Sequence, residues 1–245
     1  MQSPWLRYLR MEFSVVQSIY DDGRYLDANP DWHAADAPFK AQWIAQLIER
    51  HGIVPRTVAE VGCGSGEILV ELRRRYPNAE FVGYDISSQA SAINSAKTEP
   101  GMQFHQLDFL AEPTPMTDLL LAIDVFEHVE DYMGFIHGLK AKATYKVFHI
   151  PLDLSVQGLL RGKPLMYSRQ IVGHLHYFFK DTAIATLTDC GFEVIGWDYT
   201  HGAEQLPGRS LRTRLLNMPR KIARAISEDF AVRLFGGASM MVLTR

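Results

Sequence analysis

Between residues 58 and 67 the chain reads Val58-Ala59-Glu60-Val61-Gly62-Cys63-Gly64-Ser65-Gly66-Glu67, and no other stretch restricts its fold as strongly. A short apolar run that ends in alternate glycines and passes into a helix-forming stretch reads as a buried strand, a tight turn and a helix. Glycine has no Cβ and accepts positive φ, so such a turn lets backbone approach a ligand closely. The spacing is G-x-G-x-G, and Glu67 stands where a dinucleotide fingerprint would place its last glycine or alanine. An acid there would repel a pyrophosphate seated on the helix N-terminus. The spacing therefore argues against NAD and for a cofactor without phosphate.

Strand and helix patterns alternate after this point. Thr57 to Val61, Ala79 to Tyr84, Met102 to Leu107, Asp118 to Ile123 and Tyr145 to Ile150 read as strands, with helical patterns over 67–76, 88–97 and 130–142 between them. Apolar strands separated by helices predict a parallel sheet covered on both faces. Asp181 is expected to cap a helix that Gly191 closes, and Phe192 to Trp197 and Ser239 to Thr244 supply two further strands. Residues 152–179, punctuated by Gly158, Gly162, Pro164 and Gly173, read as a long irregular insertion of the kind that shapes a binding pocket.

The run Glu60, Gly62, Gly64, Gly66 resembles motif I of the class I S-adenosylmethionine-dependent methyltransferases, E/D-x-G-x-G-x-G. The resemblance implies a Rossmann-like α/β fold: a seven-stranded, mostly parallel sheet with helices on both faces and an antiparallel last strand. It implies S-adenosyl-L-methionine as cofactor. Glu60, Gly62, Cys63, Gly64 and Gly66 would lie along its methionine portion, Asp85 with Ile86 at the ribose, and Asp108 with Phe109 at the adenine. A carboxylate suits a diol because it accepts two hydrogen bonds at once, although Asp85 could also cap the following helix and Asp108 could serve a turn.

The segment Asp118 to Asp131, with Asp124-Val-Phe-Glu127-His128 at its centre, resembles the same family's fourth-strand motif, whose end faces the transferred methyl group. Ile123, Asp124 and Val125 would line the cofactor. Asp124 and His128 are the candidate catalytic residues, with His128 as the base that accepts an acceptor proton. The spacing also resembles the E-x-x-E-H metal site of ubiquinone-pathway O-methyltransferases and of small-RNA terminal 2′-O-methyltransferases. Asp124 replaces the first glutamate and has a shorter reach, so a divalent metal is not favoured and no metal ligand is assigned; His174 and His176 could add a nitrogen or form the acceptor-pocket wall.

Composition narrows the partners. The chain has 245 residues, 47% of them hydrophobic, enough for one domain over 38–245 with an aromatic N-terminal arm over 1–37 that could act as a lid. A net charge of −3 gives no general pull toward nucleic acid, so the expected partner is a small-molecule acceptor methylated at a hydroxyl. An RNA or lipid-linked acceptor is the alternative, and a cofactor-binding assembly or regulatory protein is the alternative of another class. Residues 209–224 interleave basic and apolar side chains and could touch an anionic membrane surface. Two cysteines far apart, no leader pattern and no long apolar run point to a cytoplasmic protein.

Overall fold

Alternation along the strands decides how the chain is layered. In Thr117–Ile123 the side chains of Leu119, Leu121 and Ile123 join one buried cluster, whereas Leu120 and Ala122 join the other. Successive strand residues point to opposite faces, so a strand apolar at every position must be covered on both. A computed structural model of the chain describes residues 32, 34–201 and 218–245. Most of the expected arm over 1–37, and residues 209–217 of the basic segment, lie outside the described residues.

Seven strands form one sheet: β1 Thr57–Val61, β2 Glu80–Asp85, β3 Met102–Gln106, β4 Thr117–Ile123, β5 Ala143–Pro151, β6 Val194–Thr200 and β7 Ser239–Thr244. Their order is β3-β2-β1-β4-β5-β7-β6. The first five run parallel, and β7 is antiparallel to both β5 and β6. This is the Rossmann-like α/β architecture the sequence implied.

On one face, Ile44, Leu47 and Ile48 of helix α1 (Ala37–Arg50) and Leu69 and Leu72 of helix α2 (Glu67–Arg75) pack on Val58, Leu121 and Val147. On the other, Ile136 of helix α4 (Tyr132–Gly138) and Ala183 and Leu187 of helix α7 (Lys180–Asp189) cover Ala59, Leu120 and Phe148. Burying one such aliphatic side chain contributes about 1.5–3 kcal/mol, so the two layers hold the sheet rigid beneath the strand ends. Helix α3 (Ser88–Asn94) begins where expected, with the Ser87 side chain accepting from the Ala90 N–H.

Two local expectations are corrected. Helix α7 is capped at Phe179 and not at Asp181, whose carboxylate lies in the first turn and pairs with Arg233. The insertion after β5 is not irregular throughout: it holds α5 (Val156–Arg161), α6 (Lys163–Tyr167) and a π-helical turn, Ser168–Val172. Ser155 explains the first of these, because its hydroxyl accepts from the Gly158 N–H and caps α5. Helices α8 (Met218–Ile226) and α9 (Glu228–Phe235) precede β7. No helix among the described residues is long and apolar enough to cross a membrane.

Candidate functional site

The sheet order reverses between β1 and β4, and in open α/β sheets ligands bind in the crevice outside the strand ends at that point. A cleft of about 1460 Å³ opens there. It exceeds the roughly 300–1,000 Å³ of a single-ligand pocket, which leaves room for two reactants.

The glycine turn forms one wall. Gly62, Gly64 and Gly66 all have positive φ, at 67°, 50° and 78°. At Gly62 a Cβ would come within 2.7 Å of Val125 Cγ2, so only glycine lets the turn after β1 close against the turn after β4. At Gly66 it would collide with Phe104. Cys63 is buried, and Asn94 Nδ2 donates to the Gly64 carbonyl at 2.9 Å. Glu67 is paired with Lys97 at 2.8 Å, so the repulsion that the sequence assigned to its charge is offset.

Two acids stand behind this turn. Glu60 is fully buried at the cleft floor, and burial, reinforced by Asp85 and opposed by Lys40, pushes its carboxyl well above the ordinary range. The Asp85 carboxylate accepts from the Gly64 N–H and the Ser87 N–H, both at 2.8 Å. Each oxygen keeps further acceptor capacity, and the residue lines the cleft beside Ile86, which is 70% exposed. Burial raises the Asp85 carboxyl and the two N–H groups oppose that rise.

Asp108 and Phe109 are not brought to this cleft. Asp108 is exposed and its Oδ1 accepts from the N–H groups of Leu110 and Ala111, the turn role the sequence left open. Phe109 is buried against Tyr84, with ring centroids 4.9 Å apart. Both residues follow β3, the edge strand, which stops at Gln106.

The end of β4 is the most charged part of the site. Ile123, Asp124 and Val125 line the cleft, and Asp124 adopts φ 54°, a left-handed conformation that a short polar side chain tolerates. Its Oδ2 lies 2.7 Å from Lys40 Nζ and its Oδ1 2.6 Å from His149 Nδ1, while His149 Nε2 meets Thr200 Oγ1 at 2.8 Å. Burial raises the Asp124 carboxyl, yet His149 and Lys40 together hold it far below the usual carboxylate range. Asp124 raises the Lys40 amine against the opposing effect of burial.

Both carboxylate oxygens of Asp124 are thus engaged within the fold. Removing one partner of a largely buried pair leaves a charge uncompensated. Because Asp124 is 27% exposed and keeps His149, Lys40→Ala should cost about 2 kcal/mol, a fall of about 4–8 °C in Tm. The Asp124 carboxyl is depressed in the folded state. Its contribution is therefore full above the ordinary value of 3.8 and is lost as pH falls below it, so the gap between wild type and variant should close in acid. Thermal melts across pH check this.

Beyond Asp124, the turn Phe126–His128 is tied to the last part of the insertion: the N–H groups of Leu175 and His176 both donate to the Glu127 carbonyl, at 2.8 and 3.2 Å. This brings Glu127, His128 and His174 together, with one ligand atom of each within 4.8 Å of the others. Glu127 is fully buried, and neither carboxylate oxygen has a hydrogen-bond partner. Burial, reinforced by Asp124, raises its carboxyl well above the ordinary range.

His128 Nδ1 lies 3.1 Å from the Gly173 carbonyl and His174 Nδ1 lies 2.6 Å from Asp153 Oδ2. In neutral rings both Nδ1 atoms carry the proton and both lone pairs sit on Nε2. His176 instead directs Nε2 to the carbonyls of Val129 and Glu130, with its ring 4.2 Å from that of Tyr132, so it is part of the wall.

Sequence reasoning missed Lys40, His149 and Asp153. A lysine on the apolar face of α1 and a histidine inside the apolar run of β5 were the signals available, since such groups are buried only when paired.

A family model described as a methyltransferase domain matches residues 32–196. A trans-aconitate 2-methyltransferase from Mycobacterium sp. (strain KMS) is 28% identical over 188 residues, covering 71% of this chain and 72% of that protein. Among solved structures, the plantazolicin methyltransferase BpumL, in complex with a monoazolic desmethylPZN analog and SAH, is similar with a TM-score of 0.63 at 14% identity, covering 98% of this chain and 96% of that one. The N-methyltransferase NodS from Bradyrhizobium japonicum WM9, in complex with S-adenosyl-L-homocysteine, gives a TM-score of 0.57 at 16% identity, covering 91% of this chain and 98% of that one. At these identities the structural likeness shows the fold.

Proposed function

Because the chain belongs to the methyltransferase-domain family and is an S-adenosyl-L-methionine-dependent methyltransferase, we propose that it methylates a small molecule at a hydroxyl oxygen, with His128 as the base. The observation that carries this reading is the basic edge of His128, held by the Gly173 carbonyl at the end of β4 beside the glycine turn. Gly62, Gly64, Asp85 and Ile86 would hold the cofactor, the Asp85 oxygens accepting from the ribose hydroxyls, with Glu60 beneath the methionine portion. Ile123 and Val125 would flank the reacting sulfonium.

Transfer is then an in-line displacement: the acceptor oxygen bonds to the methyl carbon as the carbon–sulfur bond breaks, and the sulfonium leaves as a neutral thioether. The acceptor proton passes to His128 Nε2. Most of the acceleration comes from holding the reactants collinear, and the base adds roughly 10²–10⁴-fold. The relative named for trans-aconitate supports a small, polar acceptor.

A second reading is favoured by one observation, the convergence of Glu127, His128 and His174. These residues fit a divalent metal ion: the buried Glu127 oxygens have no hydrogen-bond partner, Oε1 lies 4.0 Å from His128 Nε2, and the Asp153 carboxylate behind His174 is the usual support of a metal-binding imidazole. Asp124 is not among the donors, since Lys40 and His149 hold it. A divalent ion bound there would polarise an acceptor hydroxyl and lower its pKa.

The two readings separate experimentally. Acceptors screened with labelled cofactor in the presence of a chelator should still give product if His128 acts as base, and should give none if an ion is required. Calorimetric titration of Mg2+, Mn2+ and Zn2+ into wild type and Glu127→Gln reports the ion directly. Binding lost by at least about tenfold in the variant supports the metal site, and no binding in wild type removes it.

A further inference from the structure

We propose that Arg161 and Arg169, on the insertion between β5 and α7, bind an oxyanion carried by the acceptor away from its methylated atom. The inference rests on the acceptor lying at the His128 end of the cleft. Both arginines line that cleft, Arg161 at the C-terminus of α5 and Arg169 in the π-helical turn.

Their lack of partners sets them apart. Seven described arginines form ion pairs with carboxylates: Arg50, Arg56, Arg73, Arg74 and Arg75 in the first half of the fold, and Arg233 and Arg245 near its end. Arg161 and Arg169 make no ion pair or side-chain hydrogen bond among the described residues. The acid nearest to them along the insertion, Asp153, is committed to His174 at 2.6 Å and to the Ser168 hydroxyl at 3.3 Å.

That commitment also anchors the segment. Ser168 begins the π-helical turn that carries Arg169, and Asp153 ties it to the same histidine that faces the reacting end of the cleft. Two guanidinium groups that hold no carboxylate therefore line a cleft whose lining lysine, Lys40, is already held by Asp124; the same cleft also carries the carboxylates of Asp36, Asp85 and Glu130. A planar guanidinium fork matches a carboxylate or a phosphate and binds either bidentately. The occupant chemistry is an oxyanion; its neutral ester lacks the charge and the paired oxygens that make the contact strong.

The test is calorimetry on the S-adenosyl-L-homocysteine-loaded chain at low salt, titrated with citrate, with inorganic phosphate and with triethyl citrate. One or both anions should bind and the ester should not; which anion binds tells carboxylate from phosphate. Arg161→Gln/Arg169→Gln should weaken the anion by about tenfold or more, while the affinity for S-adenosyl-L-homocysteine stays unchanged and reports that the fold is intact. Anion affinity should also fall as salt rises. The proposal is overturned if neither anion binds, if the ester binds as tightly as citrate, or if the double variant keeps the wild-type anion affinity. A product methylated on nitrogen or carbon would end the hydroxyl reading and leave this result standing.

Discussion

His128→Ala is expected to lower kcat by roughly 10²–10⁴-fold while cofactor affinity stays within about twofold of wild type. Its Nδ1 donates to the Gly173 carbonyl, so the ring bridges the turn after β4 and the last part of the insertion and presents Nε2 as its basic atom. A purely structural role would give a different pattern. Losing one hydrogen bond costs about 0.5–1.5 kcal/mol of stability, and acceptors with lower hydroxyl pKa values would not rescue the rate. If the ring is the base, acceptors that ionise more readily should recover a growing share of the lost turnover. His128→Gln, which cannot take a proton, should be as slow as the alanine variant. A variant that turns over within a few-fold of wild type would remove His128 from the chemistry.

The second large effect belongs to Asp85. Asp85→Ala should weaken S-adenosyl-L-homocysteine by about 100-fold in calorimetry, because two hydrogen bonds from the ribose to a carboxylate are lost together. The same substitution orphans the N–H groups of Gly64 and Ser87, which Asp85 accepts at 2.8 Å each, so the glycine turn loses its anchor. A fall of about 2 kcal/mol in the stability of the cofactor-free chain should accompany the lost affinity. Asp85→Asn separates the two contributions. Its single carbonyl oxygen satisfies one N–H, so it should sit between wild type and alanine in both measurements. Unchanged affinity in Asp85→Ala would mean that the ribose lies elsewhere.

Much of the sheet could be read from residue order, because strands buried on two faces are continuous apolar runs bounded by turn residues. The sequence ranges for β1, β4 and β7 fall within a residue of the observed strands. The acids ending β1 and β2 were legible for the same reason: once the strands are placed, topology carries their ends to one crevice. Asp108 was placed by the same strand-end argument together with family likeness; it is exposed, and its Oδ1 accepts from the N–H groups of Leu110 and Ala111.

The helices of the insertion were hidden by Gly158, Gly162 and Pro164, which read as breakers. Here Gly162 at φ 65° separates two short helices and Pro164 occupies the first turn of the second, where its missing N–H costs nothing. The Lys40, Asp124, His149 and Thr200 chain was invisible because its members come from four distant segments and meet only when the sheet forms. His174 was a candidate by type; its place beside Glu127 depends on the backbone bonds from Leu175 and His176 to the Glu127 carbonyl.

The central claim is that the methyl group passes to an oxygen at the His128 end of the cleft. Its most direct test is single-turnover transfer from S-adenosyl-L-methionine labelled with carbon-13 in the methyl group to an acceptor found by screening, with the product examined by NMR. The account predicts a labelled methyl bonded to oxygen in the wild-type product and a single-turnover rate lower by roughly 10²–10⁴-fold with His128→Ala that still binds cofactor. Label on nitrogen or carbon, or an unchanged single-turnover rate in the variant, would contradict it.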